Sequence, residues 1–411
     1  MSRFLRLFAF LFLPLVGSCG PGLTVYVGAL SSNSVTLAWG TTDGKGNTIG
    51  RDAEIGAEAR VRVGDTESRT KKAWLTVGGL APDSEYRYSV EVPGYAEVDG
   101  TIRTWPEKAA SFVFFVIGDW GSGGPAQRYV AQLMEEQLTQ LAAHGKPVRF
   151  ILSTGDNIYG RPGNRGSGAD DHDWEQRFFR PYANLLRRVP FYAVPGNHDG
   201  NESERRQDLT TYLDNFFFPS PKPVRWYRFE VAGLVEFIAL DSTRNTLEGP
   251  PTPAFAPDGE ESRWLTEQME RHSDLWRIAV MHHPMFTAGP DHPPFIRDAP
   301  HWLPLFQKGG VQVVFAGHEH NFQFSERDAE TKGIQFVVSG AGGQLRSRSV
   351  LKKMKAAHIA GWANQNHFCV VEITRDQMTV TPIGGARFSV LGPRGDRLST
   401  NLQIAKEPGG K

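Results

Sequence analysis

The stretch that decides the fold is FVFFVIGDWG, residues 112–121, in which an uninterrupted apolar run ends in a glycine and an aspartate. The run 112–117 predicts a strand buried on both faces. Apolar residues at helical spacing predict a helix after it: Val130, Leu133, Met134, Leu138 and Leu141. Gly145 is the expected end of this helix, and the apolar run 148–152 predicts the next strand. Strand, helix and strand in this order form a βαβ unit, which requires a parallel pair.

Short polar motifs follow five strand-like runs. They are Gly118-Asp119-Trp120-Gly121, Gly155-Asp156-Asn157-Ile158-Tyr159, Gly196-Asn197-His198-Asp199, His282-His283-Pro284 and Gly317-His318-Glu319-His320. Because the carboxyl ends of parallel strands meet at one edge of a sheet, we expect these side chains to lie together. Oxygen and imidazole donors suit a two-metal hydrolase. No thiolate takes part, which argues against a zinc finger or an iron–sulfur cluster.

The composition is that of an ordinary globular protein. The 411 residues are enough for more than one domain, and basic and acidic residues number 45 each. A formal net charge of zero provides no electrostatic reason to expect nucleic-acid binding. The sequence contains no indication of an oligomeric state.

Residues 1–18 predict a secretory signal peptide. Arg3 and Arg6 form a basic start, and the apolar run 7–16 is too short for a comfortable membrane span. The following Leu15-Val16-Gly17-Ser18-Cys19 resembles a bacterial lipoprotein box, with Cys19 as the lipidated residue. We therefore expect an exported cell-envelope lipoprotein, on the periplasmic face or the cell surface, that touches the membrane through its lipid anchor only. The alternative is ordinary signal cleavage nearby, with Cys19 incidental.

Residues 22–104 predict a small β-sandwich. The segments 34–39 and 59–63 alternate apolar with polar residues, and turn-rich stretches separate them. The segment 80–88, Leu-Ala-Pro-Asp-Ser-Glu-Tyr-Arg-Tyr, resembles the leucine–proline–tyrosine corner of fibronectin type III modules. This resemblance implies that Tyr86 forms the corner and Trp39 lies in the core, both as scaffold residues.

The rest of the chain divides into a predicted linker at 105–111, a catalytic domain at 112–395 and a C-terminal tail at 396–411. The motif series resembles the calcineurin-like metallophosphoesterases, specifically purple acid phosphatases of the tartrate-resistant type. Gly118-Asp119-Trp120-Gly121, Gly317-His318-Glu319-His320-Asn321 and Ser339-Gly340-Ala341-Gly342 carry this similarity. It implies an α/β (α+β) fold, a two-sheet sandwich flanked by helices.

The resemblance also implies a ligand set for two metal ions. Fe(III) would be bound by Asp119, Asp156, Tyr159 and His320. A divalent ion (Fe, Zn or Mn) would be bound by Asp156, Asn197, His282 and His318, with Asp156 bridging the two. Hard carboxylate and phenolate oxygens suit Fe(III), whereas imidazoles and an amide oxygen suit a borderline divalent ion.

The implied reaction is hydrolysis of phosphomonoesters at mildly acidic pH by attack of a metal-bound hydroxide. The substrate would be a phosphorylated small molecule or protein. His198 and His292 are the candidates for protonating the leaving group or contacting phosphate. His292 lies one position further along than the family spacing. His283 competes with His282 for the ligand role, and we prefer His282 because proline lies two residues after it.

Two alternatives remain. The same metals would serve a phosphodiesterase or nucleotide hydrolase, because only the pocket walls differ. A surface binding or adhesion protein with a decayed enzyme domain is the second alternative, although every ligand position carries a suitable residue. Asp241 is expected to orient a ligand, whereas Arg346 and Arg348 are expected to lie in a solvated loop. The segment 160–173 either shapes specificity near the metals or is only a surface loop.

Overall fold

The computed structural model describes residues 23–41, 54–160, 174–200, 209–219, 224–244, 253–289, 292–346 and 348–406. The predicted signal segment 1–18 and Cys19 lie outside this part of the chain. Within the described residues, no helix has the length and apolar character needed to span a membrane.

The amino-terminal domain is a sandwich of two antiparallel sheets. One sheet contains β1 (Leu23–Leu30), β2 (Ser34–Thr41) and β5 (Trp74–Gly78), in the order β1-β2-β5. The other contains β3 (Glu54–Val63), β4 (Thr66–Lys72), β6 (Glu85–Glu91) and β7 (Val98–Arg103), in the order β4-β3-β6-β7. Trp39 is 1% exposed between the sheets. The backbone N–H of Ala81 donates to the hydroxyl of Tyr86 at 2.8 Å, so both aromatic residues act in the scaffold.

The second domain stacks two larger sheets. The six-stranded sheet contains β8 (Ser111–Ile117), β9 (Val148–Ser153), β10 (Phe191–Ala193), β18 (Phe368–Thr374), β19 (Gln377–Ile383) and β22 (Leu402–Ala405), in the order β10-β9-β8-β18-β19-β22. The nine-stranded sheet contains β11 (Tyr227–Val231), β12 (Val235–Ala239), β13 (Trp276–Val280), β14 (Val313–Ala316), β15 (Phe322–Ser325), β16 (Gln335–Ser339), β17 (Ile359–Ala363), β20 (Val390–Leu391) and β21 (Arg397–Leu398), in the order β11-β12-β13-β14-β16-β15-β17-β20-β21.

Helices connect these strands and complete the predicted metallophosphoesterase sandwich. The α-helices are α1 (Pro125–Ala143), α2 (Ala183–Leu186), α3 (Thr210–Asn215), α4 (Glu260–Glu270), α5 (Trp302–Lys308) and α6 (Leu351–Met354). A π-helical turn spans Glu175–Phe179, and 3-10 turns span Phe295–Arg297 and Lys355–Ala357. The helix α1 joins β8 to β9, which pair in parallel with Ile117 opposite Ser153. The predicted βαβ unit is therefore confirmed.

Parallel pairing places the strand ends that carry the motifs at common edges. In one sheet β10 also runs parallel to β9, and in the other β12, β13, β14 and β16 are parallel neighbours. Aromatic rings fill the space between the two sheets. Phe114 of the first sheet stacks on Phe150 at 5.1 Å and meets Phe237 of the second edge-on at 5.2 Å. This rigid core sets the distance between the two ligand-bearing edges.

The segment expected to be a linker, 105–111, begins with a residue whose backbone bonds to the sandwich, at Ser31 and Asp83, while its ring packs into the catalytic domain. Trp105 is 6% exposed, and its ring packs against Phe112, Phe150, Tyr192 and Phe229 at 5.8–6.4 Å. The hydroxyl of Tyr192 accepts from the N–H of Leu30 in the sandwich. The two domains consequently share one apolar core.

The expected C-terminal tail at 396–411 is wrong for its described part, which contributes to both sheets of the catalytic domain. The strand β21 pairs with β20, and β22 pairs with β19 through residues 402–405. Ile404 is 1% exposed. These strands are two and four residues long, too short for their alternation to stand out from the surrounding polar residues.

Candidate metal centre

Turns at the ends of five strands bring the seven predicted ligands together. Three motifs follow the neighbouring strands β8, β9 and β10, and the other two follow β13 and β14 of the facing sheet. The site therefore lies where the carboxyl edges of the two sheets meet, as expected for ligands in α/β sheets.

Three predicted ligands have a positive φ, a backbone conformation that residues other than glycine rarely adopt. Asp119, Asp156 and His318 have φ of 55°, 49° and 68°. Each such residue costs on the order of 1–3 kcal/mol and persists only where its surroundings require it. Glycine allows these turns to pack, because a Cβ on Gly196 would lie 2.2 Å from the backbone nitrogen of Asp156. Of the seven non-glycine residues with positive φ in the described part of the chain, three are predicted metal ligands.

The first cluster of donor atoms surrounds the hydroxyl of Tyr159. This hydroxyl lies 3.1 Å from Oδ1 of Asp119 and 3.2 Å from Nε2 of His320. Nε2 of His320 lies 3.3 Å from the same Asp119 oxygen. Donor atoms of Asp119, Asp156 and His320 also lie within 4.8 Å of one another. The structure thus assembles the four predicted Fe(III) ligands.

The second cluster surrounds Nε2 of His282. This nitrogen lies 3.0 Å from Oδ1 of Asn197, 3.2 Å from Nδ1 of His318 and 3.4 Å from Oδ1 of Asp156. Asp156 therefore contributes to both clusters, in the position predicted for the bridging carboxylate.

These separations fit donors that share a cation. Ligands about 2.1 Å from one ion lie about 3.0 to 3.4 Å apart when the coordination is octahedral or tetrahedral. Asp119 and Asp156 are 0% and 1% exposed, and buried carboxylates require positive charge nearby. Burial lowers the pKa of His282, but the Asp156 carboxylate, the charge of Asp119 and the hydrogen bond to Thr154 together raise it to about 10. A metal cation at this position would supply the same positive charge beside the carboxylates.

His282 and His283 occupy different environments. Nδ1 of His282 lies 2.9 Å from the carbonyl oxygen of Thr154. This nitrogen donates to the carbonyl, which leaves Nε2 as the coordinating atom. Nδ1 of His283 lies 3.0 Å from the hydroxyl of Ser242, and its ring stacks on Phe295 at 5.7 Å. A ring nitrogen of His283 still lies within 4.8 Å of donors on His282 and His318, so His283 lines the centre.

The two predicted catalytic histidines contact different predicted ligands. The backbone N–H of His198 donates to Oδ1 of Asp156 at 2.9 Å, and its ring packs against Tyr159 at 4.6 Å. The ring of His292 lies 4.0 Å from that of His318. The structure thus brings His292 to the site although its spacing along the chain departs from the family pattern.

Asp199 is a site residue that the sequence analysis missed. Its carboxylate accepts from the backbone N–H and the side-chain amide of Asn157 and from the N–H of Gly196. It thereby ties the second motif to the third. Burial and the charge of Asp156 raise the pKa of Asp199 to about 8. Its place inside the Gly196-Asn197-His198-Asp199 motif was the available signal.

The orienting role expected of Asp241 belongs to its neighbour. The hydroxyl of Ser242 accepts from the backbone N–H groups of His282 and His283, whereas Asp241 accepts from Arg225 at 2.7 Å. The backbone N–H of Arg346 donates to the carbonyl of His320 at 3.2 Å, so this residue lies close to a ligand. Arg348 is exposed, and 161–173 lie outside the described residues.

Comparison with known proteins agrees with this geometry. The calcineurin-like phosphoesterase family matches residues 112–322. Tartrate-resistant acid phosphatase type 5 of Oryctolagus cuniculus is 27% identical over 303 residues, which are 67% of this chain and 89% of the rabbit protein. The solved structure of PhoD has a TM-score of 0.65 at 14% identity and covers 93% of both chains. Purple acid phosphatase PPD1 from yellow lupin (Lupinus luteus) seeds has a TM-score of 0.64 at 13% identity, covering 94% of this chain and 74% of that one.

The two solved structures show the fold. The family match spans more than half of the 411 residues and contains all five motifs. The chain therefore belongs to the calcineurin-like phosphoesterase family.

Proposed function

We propose that this chain is a binuclear metal-dependent acid phosphatase that hydrolyses phosphomonoesters. The observation that carries the proposal is the pair of donor clusters joined by Asp156, whose Oδ1 lies 3.4 Å from Nε2 of His282. Similarity to tartrate-resistant acid phosphatase type 5 over most of that protein's length supports the choice of a phosphatase.

The donor chemistry supports different metals in the two clusters. Asp119, Asp156, Tyr159 and His320 would hold Fe(III), because three of the four donors are hard oxygens. Burial, followed by the charge of Asp119, raises the pKa of Tyr159 well above its usual value. A strongly Lewis-acidic ion beside the oxygen would offset this shift and favour the phenolate. Asn197, His282 and His318, together with Asp156, would hold divalent Fe, Zn or Mn.

The protein's own residues would orient the ester and supply the proton. When bound, the metal pair polarises the phosphoryl group and lowers the pKa of water, which allows hydrolysis without a protein nucleophile. The ring of His198 packs against Tyr159 and that of His292 against His318, where one can contact phosphate while the other protonates the leaving oxygen. We place the optimum at mildly acidic pH, as the resemblance to the acid phosphatases implies.

The test compares esters that share one leaving group. The full chain, loaded with ferric iron and zinc, would be assayed with 4-nitrophenyl phosphate and with bis(4-nitrophenyl) phosphate. We expect the monoester to have a kcat/KM at least about tenfold higher, a difference of roughly 1.4 kcal/mol in the barrier. Equal or faster turnover of the diester would establish the alternative, a phosphodiesterase or nucleotide hydrolase.

We also propose that the enzyme is exported and anchored by a lipid on Cys19, and that it acts on phosphorylated small molecules or proteins outside the cytoplasm. The basic and apolar segment before Cys19 supports this. Labelling with a palmitate analogue should mark the wild type and the Cys369→Ser control but not Cys19→Ser. Equal labelling of all three proteins would refute the anchor.

A further inference from the structure

Glu319, in the fifth motif, is not one of the proposed metal ligands, yet it lies buried at the metal centre. Glu319 stands between the ligands His318 and His320 and is 0% exposed. Its Oε1 lies 3.3 Å from Nδ1 of His292. Its Oε2 has no hydrogen-bond partner among the described residues. Within this part of the chain, His292 is therefore the one side chain that the carboxylate holds.

The surroundings are built to admit this carboxylate. A Cβ on Gly289 would lie 1.9 Å from the carboxyl carbon of Glu319, so any other residue at 289 would displace it. The N–H of Gly289 is itself held by the hydroxyl of Thr287 at 2.9 Å. Position 289 thus leaves room for Glu319, whose carboxylate reaches His292 although Glu319 and His292 lie 27 positions apart in the chain.

We propose that Glu319 is a positioning residue that orients His292 for protonation of the leaving group. The inference rests on the proposed phosphatase function. Because a carboxylate only accepts, the ring must present Nδ1–H to Glu319, which leaves Nε2 as the nitrogen that serves the substrate. The imidazole also packs against His318 at 4.0 Å, so the carboxylate and the ligand ring together define its orientation.

The step is a proton transfer coupled to cleavage of the ester. As water adds to phosphorus, the bond between phosphorus and the leaving oxygen breaks, and that oxygen takes the proton on Nε2 of His292. The products are inorganic phosphate and the free alcohol. His292 enters the step as an imidazolium with a hydrogen on each nitrogen and ends as a neutral imidazole that keeps the hydrogen on Nδ1 against Glu319. An outer partner of this kind typically changes activity by roughly 10- to 100-fold.

Two esters with different leaving groups distinguish positioning from a structural role. A phenoxide needs a proton more than a 4-nitrophenoxide does, because it is the stronger base. Glu319→Ala should lower kcat on phenyl phosphate by roughly 10- to 100-fold and on 4-nitrophenyl phosphate by less than about threefold. Glu319→Gln should recover part of the loss, because its amide oxygen can accept from Nδ1. Adding His292→Ala to Glu319→Ala should cause little further loss.

Glu261→Ala is the matched control. Glu261 is also 0% exposed and also has an oxygen without a partner among the described residues, but its bonded oxygen accepts from the backbone of Asp241. Glu261→Ala should lower the free energy of unfolding and leave the ratio of the rates on the two esters unchanged.

A second measurement uses the diamagnetic zinc-loaded chain with labelled histidines. For the neutral ring, nitrogen–proton correlation spectra should show the hydrogen of His292 on Nδ1 in the wild type and a shift towards Nε2 in Glu319→Ala.

The results of these experiments distinguish failure of the proposed role of Glu319 from failure of the phosphatase function. Equal losses on both esters, or an unchanged His292 tautomer in Glu319→Ala, would overturn the role of Glu319. A wild-type chain that hydrolyses neither ester would refute the phosphatase function instead, and the tautomer spectra would still report on the contact.

Discussion

The hydroxyl of Tyr159 lies 3.1 Å from Oδ1 of Asp119, although the residues are 40 positions apart in the chain. The phenol also lies 3.2 Å from Nε2 of His320. Asp119 and Tyr159 lie in turns that follow two strands of one sheet, whereas His320 lies in a turn that follows a strand of the facing sheet. Tyr159 is consequently placed where its oxygen can bind a metal together with both neighbours.

The visible spectrum tests this placement. The chain loaded with ferric iron and zinc should be purple or pink, because a phenolate bound to Fe(III) gives a charge-transfer band. Tyr159→Phe should lose the band. Tyr182→Phe, at a tyrosine that is 1% exposed elsewhere in the domain, should keep it. A colourless wild type with two bound metals would show that Tyr159 is not a ligand.

Asp156→Ala tests the shared ligand. Removing the carboxylate that belongs to both clusters should reduce the metal content measured by mass spectrometry and lower kcat/KM by at least roughly a hundredfold. The control is Asp328→Ala, whose carboxylate binds His358 at 2.7 Å at the surface. A variant that loses activity yet keeps the biological role of the protein would favour the adhesion alternative.

Trp105, at the junction between the domains, should contribute strongly to stability. Trp105→Ala removes a ring that is 6% exposed among four aromatic side chains. We expect a loss of about 3–5 kcal/mol in the free energy of unfolding, measured by denaturant titration. Tyr129→Ala, at a tyrosine 45% exposed, should change it by less than about 0.5 kcal/mol. Similar losses in both variants would contradict the shared core.

His367 should limit stability in acid. Burial lowers its pKa to about 4, against about 6.5 in an unfolded chain. As the pH falls between these values, the unfolded state binds a proton that the folded state does not. The free energy of unfolding therefore falls, by roughly 3 kcal/mol in total.

Denaturant titrations at about pH 7.5 and about pH 4 would measure this effect. His367→Gln should show a smaller difference between the two pH values than the wild type. His272→Gln, at a histidine whose side chain is 89% exposed, should match the wild type. An unchanged pH dependence in His367→Gln would mean that other groups control acid unfolding.

Local patterns in the sequence determined much of this protein. Long apolar runs such as 112–117 and 148–152 identify buried strands, because a strand covered on both faces needs no polar residues. The ligand motifs directly follow such runs, so the parallel topology alone brought Asp119 and Asp156 to one edge. The tyrosine corner at Tyr86 was readable for the same reason, since its contact with Ala81 spans five residues.

Only the tertiary structure decided the contacts that join distant segments. Glu319 contacts His292 because turns that follow two different strands meet. The distance between the two residues in the sequence does not indicate this contact. Trp105 appears as a linker residue in the sequence, yet its ring is buried among aromatic side chains of the catalytic domain, including Phe150 and Tyr192. The short strands at 397–398 and 402–405 form because existing sheet edges offer them hydrogen bonds. The periodicity of apolar residues indicates which face of a helix or strand is buried. The packing of elements that are distant in sequence determines which residues that face contacts.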